Sequence, residues 1–130
     1  MKYKATLKAG QGEAYRIKWL SKTPFKNYKP LIDEINFYDD AKETDVLIPL
    51  TANSLEFKRE PAGKNVYDVF FSGTIEFELN AKQKKALEER EFSIDYLMTF
   101  VGENDQVAES GEEYELVYNT NITLEDCEPA

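Results

Sequence analysis

The sequence predicts an all-β, mainly antiparallel β-sandwich of about seven to nine strands, with one short connecting helix near residues 81–90. Two observations lead to this prediction. Apolar residues alternate with polar ones over many short stretches, which is the pattern of strands with one buried face. Eight Tyr, eight Phe and one Trp also favour strands over helices. Many short strands with a single helix are typical of sandwiches and barrels.

The first two strands are predicted around Tyr3–Leu7 and Tyr15–Trp19, on either side of a turn at Gly10–Gly12. Because the intervening segment is short, we expect these strands to pair with each other as a hairpin. Trp19 is expected in the core, since a large aromatic side chain often anchors the centre of a sandwich.

The next segment, residues 21–30, is predicted to be a loop whose Phe25 and Tyr28 either pack back onto the protein or remain exposed. Leu31–Tyr38 fits a strand or one helical turn, and the strand is favoured. Residues 39–45 carry several charges and are predicted to form a turn or loop.

Val46–Leu50 is interrupted by Pro49, which predicts an edge strand or an extended segment because proline cannot donate to a sheet. Val66–Phe71 is apolar and aromatic and is predicted to be a further strand. Gly73 is predicted to be a bulge or bend between this strand and the one that begins at Thr74.

The fold is expected to be organised around the stretch from Thr74 to Leu124, whose pattern predicts a strand, a helix, a strand, a turn and a last strand. Asn80 is a good N-cap, and Gln83 is placed to complete a capping box. The helix has few apolar residues and would not persist alone. It is therefore predicted to be a connector between sheets, with Leu87 over the open end of the core.

Length and composition predict one domain over residues 1–130, with an acidic tail at about 125–130. No apolar run is long enough to cross a membrane, so membrane association is not expected. The first residues lack the apolar region of a secretory signal, and a cytosolic origin is expected. Cys127, the single cysteine, cannot form an intrachain disulfide, and no structural role is predicted for it.

The net charge of −9 is unevenly distributed. Residues 1–30 hold eight bases against the single acid Glu13, a net charge of +7, whereas residues 101–130 hold nine acids and no base, a net charge of −9. These segments supply the predicted interface residues, which are Lys2, Lys4, Lys8, Arg16, Lys18, Glu103, Asp105, Glu112, Glu113 and Glu115.

Three interpretations of this polarity remain open. The two segments lie on opposite faces, or are neighbours, within one subunit. Alternatively, they are complementary patches that join copies of the chain head to tail into a homo-oligomer. A third interpretation is an acidic surface that imitates nucleic acid. Binding of nucleic acid itself is not expected, because phosphates require a basic field.

The residue types needed for common catalytic sites are missing. The sequence has no histidine, which removes the most frequent general base, the common triads and most zinc sites. Gly10–Gly12 precedes a strand rather than a helix and is not a phosphate-binding loop. The chain is predicted to be a non-enzyme, with no catalytic residue and no cofactor.

Two features were weighed as possible ligand sites. Residues 39–45 carry four acids but lack the glycine and closing glutamate of a calcium loop, so a solvated turn is favoured over a cation site. A set of alternating aromatic residues is predicted to be mostly core, and any exposed member is a candidate for a subunit or glycan contact: Tyr15, Trp19, Tyr96, Phe100, Tyr114 and Tyr118.

The pattern Gly73–Leu79, an Ala/Lys/Gln/Leu helix, Phe92–Tyr96, a turn, and an alternating strand from Gly111 to Thr123 resembles the immunoglobulin-like sandwich modules of phage virion proteins. The resemblance is to the N-terminal domain of upper-baseplate proteins, and it covers roughly 50 of the 130 residues. Arg90-Glu-Phe92 and Asn80 depart from that family's pattern. The resemblance implies a structural adaptor, and no residue in it is catalytic.

The sequence thus predicts a virion structural protein, such as a baseplate, neck, tail or decoration subunit, made in the host cytoplasm. Its partners are expected to be other virion proteins or copies of itself. The first alternative is a small acidic inhibitor or anti-defence protein that presents its acids to a basic host site. A weaker alternative is a carbohydrate-binding module.

Overall fold

The structure is a computed structural model, and it describes residues 1–10, 14–109, 111–119, 124 and 126–130. The described chain forms ten strands, one α-helix and two 3-10 segments (Phe25–Asn27 and Glu103–Asp105). The elements are β1 Lys2–Ala9, β2 Ala14–Trp19, β3 Lys29–Asp39, β4 Thr44–Asn53, β5 Glu56–Gly63, β6 Val66–Asn80, α1 Ala81–Glu88, β7 Phe92–Val101, β8 Val107–Ala108, β9 Tyr114–Asn119 and β10 Asp126–Pro129. All strand pairs are antiparallel, which confirms the predicted fold class.

Strand β6 is the central strand of the fold, since it pairs with other strands along both of its edges. On one edge, β1 pairs with residues 73–80 and β2 with residues 66–70. On the other edge, β4 pairs with residues 75–77 and β5 with residues 66–72. The predicted hairpin between β1 and β2 is therefore wrong. The two strands follow one another along the same neighbour, because β6 is long enough to pair with both.

Gly73 forms the predicted bend, but it lies inside one strand: the two strands predicted on either side of it are the continuous strand β6. Its φ of +112° is a conformation that favours glycine, and a Cβ there would lie 2.4 Å from the main-chain oxygen of Ser54. On the facing side, β4 gives way to β5 at Ser54 and Leu55, and the amide of Ser54 still donates to the oxygen of Thr74 at 2.9 Å. The partner of β6 on this edge thus changes from β4 to β5, while the hydrogen bond between Ser54 and Thr74 is kept.

The last two strands lie outside the first two. Strand β9 pairs with β2, and β10 pairs with β1. The predicted last strand is confirmed for residues 114–119, while its remaining part includes residues 120–123, which lie outside the described residues. Residues 126–129 of the predicted acidic tail form a strand, so this part is built into the sheet.

Strand β4 links the β6 sheet to a second layer. Its first half pairs with β3 over residues 44–49, and its second half pairs with β6. The prediction of an edge strand or an extended segment at Val46–Leu50 is therefore corrected: the strand runs from Thr44 to Asn53 and lies between β3 and β6. Pro49 sits at the change of partner, where a missing N–H is tolerated. Strand β3 then pairs with β7, and β7 with β8.

An aromatic core joins the two layers in a sandwich-like arrangement. Trp19 of β2 is 5% exposed and lies edge-on to Phe100 of β7, with ring centroids 5.9 Å apart. Phe25 stacks on Trp19 at 4.8 Å, and Tyr28 lies 4.9 Å from it. Both aromatic residues of the predicted loop therefore pack back. The core prediction for Trp19 is confirmed.

Tyr15 links the layers by hydrogen bonds as well as by packing. Its hydroxyl lies 2.6 Å from Asp95 Oδ1 and 3.2 Å from the main-chain oxygen of Tyr96, and it accepts a bond from the Tyr96 amide at 3.1 Å. Burial and the adjacent Asp95 carboxylate raise the pKa of Tyr15 well above its usual range. The hydroxyl therefore remains protonated and keeps its donor.

Helix α1 connects β6 to β7, as predicted. The Asn80 side chain accepts from the Gln83 amide at 2.8 Å, and the Gln83 side chain accepts from the Asn80 amide at 2.8 Å. This is the expected capping box. Ala86 is buried and Leu87 packs partly buried against the core. The helix thus covers one end of the sandwich with few apolar contacts.

Candidate interaction surfaces

The predicted basic residues lie on β1 and β2, and three of them form ion pairs with acids of β6. Lys2 lies 3.5 Å from Glu78, and Lys4 lies 3.0 Å from Glu76. These pairs join adjacent strands on the solvent side. They leave less positive charge available for another subunit than the sequence alone implies.

Arg16 makes the best-defined of these pairs. Its Nε donates to Asp68 Oδ1 at 2.8 Å and its second nitrogen donates to Oδ2 at 3.0 Å, which is bidentate geometry. The Arg16 guanidinium holds the pKa of the Asp68 carboxyl below its usual range, against a smaller opposing effect of burial. This pair fixes β2 to β6 and is structural.

The positive and negative segments are neighbours within one subunit. Lys4 of β1 lies opposite Glu128 of β10, and Lys18 of β2 lies opposite Glu115 of β9. The structure thus agrees with the first of the three interpretations, in which the basic and acidic segments are neighbours within one subunit. Use of these residues between subunits stays a prediction, and so does that of Lys8, which lies opposite Thr74 on β6.

The remaining predicted acids gather between β7 and β9. Glu103 and Asp105 are exposed on the 3-10 segment after β7, and Glu112 is exposed in the turn before β9. Glu113 is half-buried: its main-chain oxygen accepts from the amides of Leu20 and Ser21, and its buried Oε2 accepts no hydrogen bond from a described residue. None of these acids is in an ion pair with another described residue.

An apolar surface on the outer face of β3, β4 and β7 was missed. The strand register places Pro49, Glu34 and Leu97 in one row across these three strands. Leu47 lies in the next row, opposite Asn36, and is 52% exposed. Leu97 is 37% exposed. We call this the sheet-face patch: Leu31, Leu47, Pro49 and Leu97.

The sequence held a signal for this patch. Leu97 breaks the alternation of β7, because it is apolar at a position between two inward-facing residues, Tyr96 and Met98. Leu47 similarly lies between Val46 and the buried Ile48. An apolar residue on the outward face of a strand often marks an interaction surface when several such residues are adjacent.

The acidic turn after β3 uses its first carboxylate internally. Asp39 is only 9% exposed, and its Oδ1 accepts from the amides of Ala41 and Lys42 at 3.0 and 3.3 Å. This local bond is a common turn device of aspartate. Within the described part of the chain, no three His, Cys, Asp or Glu side chains are grouped to hold a metal ion.

The aromatic residues that were weighed as ligand contacts are nearly all internal. Tyr118 on β9 is 54% exposed, whereas the other five are buried in the core. A groove of about 440 Å³ runs along β5 and β6 and is lined in part by Phe57, Phe70 and Lys58. A carbohydrate-binding role remains an untested alternative.

Cys127 is more structural than predicted. It lies opposite Ala5 in the β1–β10 pair and packs, half-buried, against the core. Desolvation by burial raises the pKa of its thiol. A protonated, partly covered thiol is a poor nucleophile and packs as a small apolar group.

Comparisons with known proteins leave the family open. No protein family, no curated protein and no solved structure gives a significant match to this chain. The resemblance to immunoglobulin-like virion modules therefore stays a prediction from the sequence.

None of the described helices has the length and apolar character needed to span a membrane.

Proposed function

We propose that this chain is a non-enzymatic structural subunit of a phage virion that acts through protein–protein contacts with copies of itself or with other virion proteins. The observation that carries the proposal is the sheet-face patch. It is a group of exposed apolar side chains on the outside of a sheet whose inside already packs the core, with Glu34 between Pro49 and Leu97. Exposed apolar side chains grouped on one face of a small domain are typical of protein interaction sites.

The patch is arranged to be covered by a flat partner surface. Leu31, Leu47 and Leu97 are 45%, 52% and 37% exposed and come from three hydrogen-bonded strands. Such strands hold their side chains on a rigid surface, so little conformational entropy would be lost on binding. Covering these side chains removes apolar area from water, which favours association.

Two further observations support this proposal. The residues that resemble virion modules (73–123) include β7, which carries Leu97 of the sheet-face patch. In addition, Lys2, Lys4 and Arg16 already pair with acids of the same subunit. Apolar contact therefore explains assembly better than head-to-tail charge pairing.

The proposal is tested by sedimentation velocity on the full chain and on a Leu47→Glu/Leu97→Glu variant. We expect concentration-dependent association of the unchanged chain that persists in high salt, because apolar burial is not screened by ions. The double variant should be monomeric with an unchanged circular dichroism spectrum. A Glu103→Gln/Asp105→Asn variant is the control and should associate normally.

Two results would count against this function. A chain that stays monomeric at all concentrations, and that is absent by mass spectrometry from virions of the phage encoding it, is not a virion subunit. Association that disappears in high salt and survives in the Leu47→Glu/Leu97→Glu variant would instead favour pairing through the charged strands.

A second candidate function is an acidic inhibitor of a basic host protein. It is favoured by Glu103, Asp105, Glu112 and Glu115, which are exposed and form no ion pair with another described residue. Such a surface would attract a basic partner over the range of the Debye length, about 8 Å at physiological salt.

A further inference from the structure

We propose that the outer edge of β9 accepts an extended basic peptide segment as an additional strand. At this edge, outward-pointing main-chain groups, the exposed side chains of Leu116 and Val117, and a cluster of glutamates lie together. The inference rests on β9 alone, and not on the sheet-face patch that carries the proposed function.

Among the strands that the structure describes, β9 has a strand partner on one edge. Within the described chain, β9 pairs with β2 and with no other strand. Trp19 of β2 donates its amide to Asn65 on the β6 side, so its main-chain groups point away from the opposing Tyr114. Consistent with this, the oxygen of Tyr114 accepts from the Gly111 amide at 2.7 Å and not from β2.

The outward groups recur two residues further on. Ile17 lies opposite Leu116 just as Trp19 lies opposite Tyr114. Because paired residues alternate between bonded and non-bonded positions in an antiparallel ladder, the N–H and C=O of Leu116 also point to the outer edge. The N–H and C=O of Leu116 can therefore bind an added strand, as in peptide recognition by β-augmentation.

The side chains on this edge are apolar and accessible. Leu116 is 45% exposed and Val117 is 56% exposed. The register shift between Arg16 and Ile17 leaves an extra residue in β9, so Val117 faces no partner residue in β2. Successive apolar side chains are therefore available on a strand with an open edge.

Two other outer strands, β5 and β10, carry features that normally prevent such pairing. Strand β5 has Glu56, Lys58 and Pro61, while β10 has Glu128 and Pro129. Charges and proline on an edge strand discourage the addition of another chain. In β9, residues 116–118 are Leu, Val and Tyr, and its one charged residue is Glu115, which repels an acidic strand but not a basic one.

The surrounding charge identifies the chemistry of the partner. Glu109, Glu112 and Glu115 are exposed beside the start of β9, and Glu113 is half-buried there. Residues 101–119 contain no Lys or Arg, and on β2 Lys18 lies opposite Glu115 and Arg16 opposite Tyr118. A second copy would bring the same carboxylates together. A basic segment would instead be attracted, which favours it as the occupant.

The test is fluorescence anisotropy with a short labelled peptide of alternating lysine and valine at low salt. We expect saturable binding to the full chain. Two matched probes should bind at least about tenfold more weakly: a glutamate–valine peptide, and a lysine–valine peptide that is N-methylated at every second residue. The first removes charge complementarity, and the second removes the main-chain donors of one edge.

Two protein variants locate the site. Leu116→Pro removes an outward N–H that β2 does not use, and Val117→Lys replaces an apolar contact with a repelling charge. Both should lose peptide binding about tenfold or more while the thermal midpoint and circular dichroism spectrum of Val117→Lys stay unchanged. Leu47→Glu/Leu97→Glu should bind the peptide normally, which separates this site from the sheet-face patch.

Three outcomes would overturn the inference. One is equal binding of the N-methylated peptide, which would mean charge attraction without strand pairing. Another is binding that Val117→Lys leaves unchanged. The third is a dimer that Val117→Lys abolishes but that Leu47→Glu/Leu97→Glu retains, because the occupant would then be a second copy of the chain.

Discussion

The Tyr15 hydroxyl joins the two layers by hydrogen bonds through the core. We predict that Tyr15→Phe lowers the free energy of unfolding by about 1–3 kcal/mol, because Tyr96 main-chain groups lose a hydrogen-bond partner in a buried site. Denaturant titration measures this change. Tyr38→Phe is the matched control, since the Tyr38 hydroxyl bonds to no described residue, and it should be nearly neutral.

The Tyr15 hydroxyl also makes the difference in unfolding free energy between the unchanged chain and Tyr15→Phe depend on pH. The pKa of Tyr15 is raised in the folded chain, so its stabilising contribution is fully present below about pH 10, the usual value of a tyrosine. Above that pH the unfolded chain loses the proton while the folded chain keeps it. The stability difference between the unchanged chain and Tyr15→Phe should therefore shrink as pH rises above 10. A constant difference would contradict the burial of this hydroxyl.

Asp68 should show the opposite pH dependence. Its pKa is lowered in the folded chain by Arg16, so its contribution is present above about pH 4 and is lost as pH falls through the folded pKa. We predict that Asp68→Asn lowers the thermal midpoint at pH 7 and has little effect near pH 2. Glu56→Gln is the control, because Glu56 is exposed and has no ion pair with a described residue. Equal effects of both variants would argue against the specific pair.

At the scale of elements, the bend in β6 depends on one glycine. We predict that Gly73→Ala destabilises the fold by about 2–4 kcal/mol, since it combines an unfavourable φ with a Cβ 2.4 Å from a main-chain oxygen. Chemical denaturation provides the measurement. In Gly63→Ala the new Cβ would lie 3.7 Å from Val66, an ordinary contact, and this control should change stability by less than about 1 kcal/mol. Similar losses in both variants would contradict the role of the bend.

Local patterns predicted individual elements well. The Asn80 cap, the Gly73 bend and the strand at Leu31–Tyr38 each follow from nearby residues, because capping, turn and alternation rules act over a few positions. Pairing depends instead on distant residues. The hairpin between β1 and β2 was wrong because nothing near Gly10 reveals that β6, some 60 residues away, is long enough to pair with both strands.

At the scale of the whole molecule, the sequence revealed the charge polarity but not its geometry. The bases of β1 and β2 lie between the acids of β6 and those of β9 and β10. Because basic strands lie between acidic strands, much of the charge difference between the two ends of the sequence is offset inside one subunit. Distances along the chain could not show this, since strands remote in sequence are adjacent in the sheet.

The candidate surfaces were only partly predictable for the same reason. The predicted acids Glu112 and Glu115 do lie beside the outer edge of β9, but the apolar residues beside them were not predicted as a surface. The broken alternation at Leu97 shows only that one apolar residue faces outward. The sheet register is needed to show which residues of β3 and β4 lie near it, and that Leu116 lies on an outer strand.

The position of β6 within the chain also suggests an order of folding during synthesis. All the strands that pair directly with β6 precede Asn80, so a ribosome that has released residue 80 has already supplied the complete two-sided ladder. Strands β9 and β10 then add to the outside of β2 and β1. We expect the first part of the chain to collapse around β6 before synthesis ends, with the C-terminal strands closing an edge that is open until then.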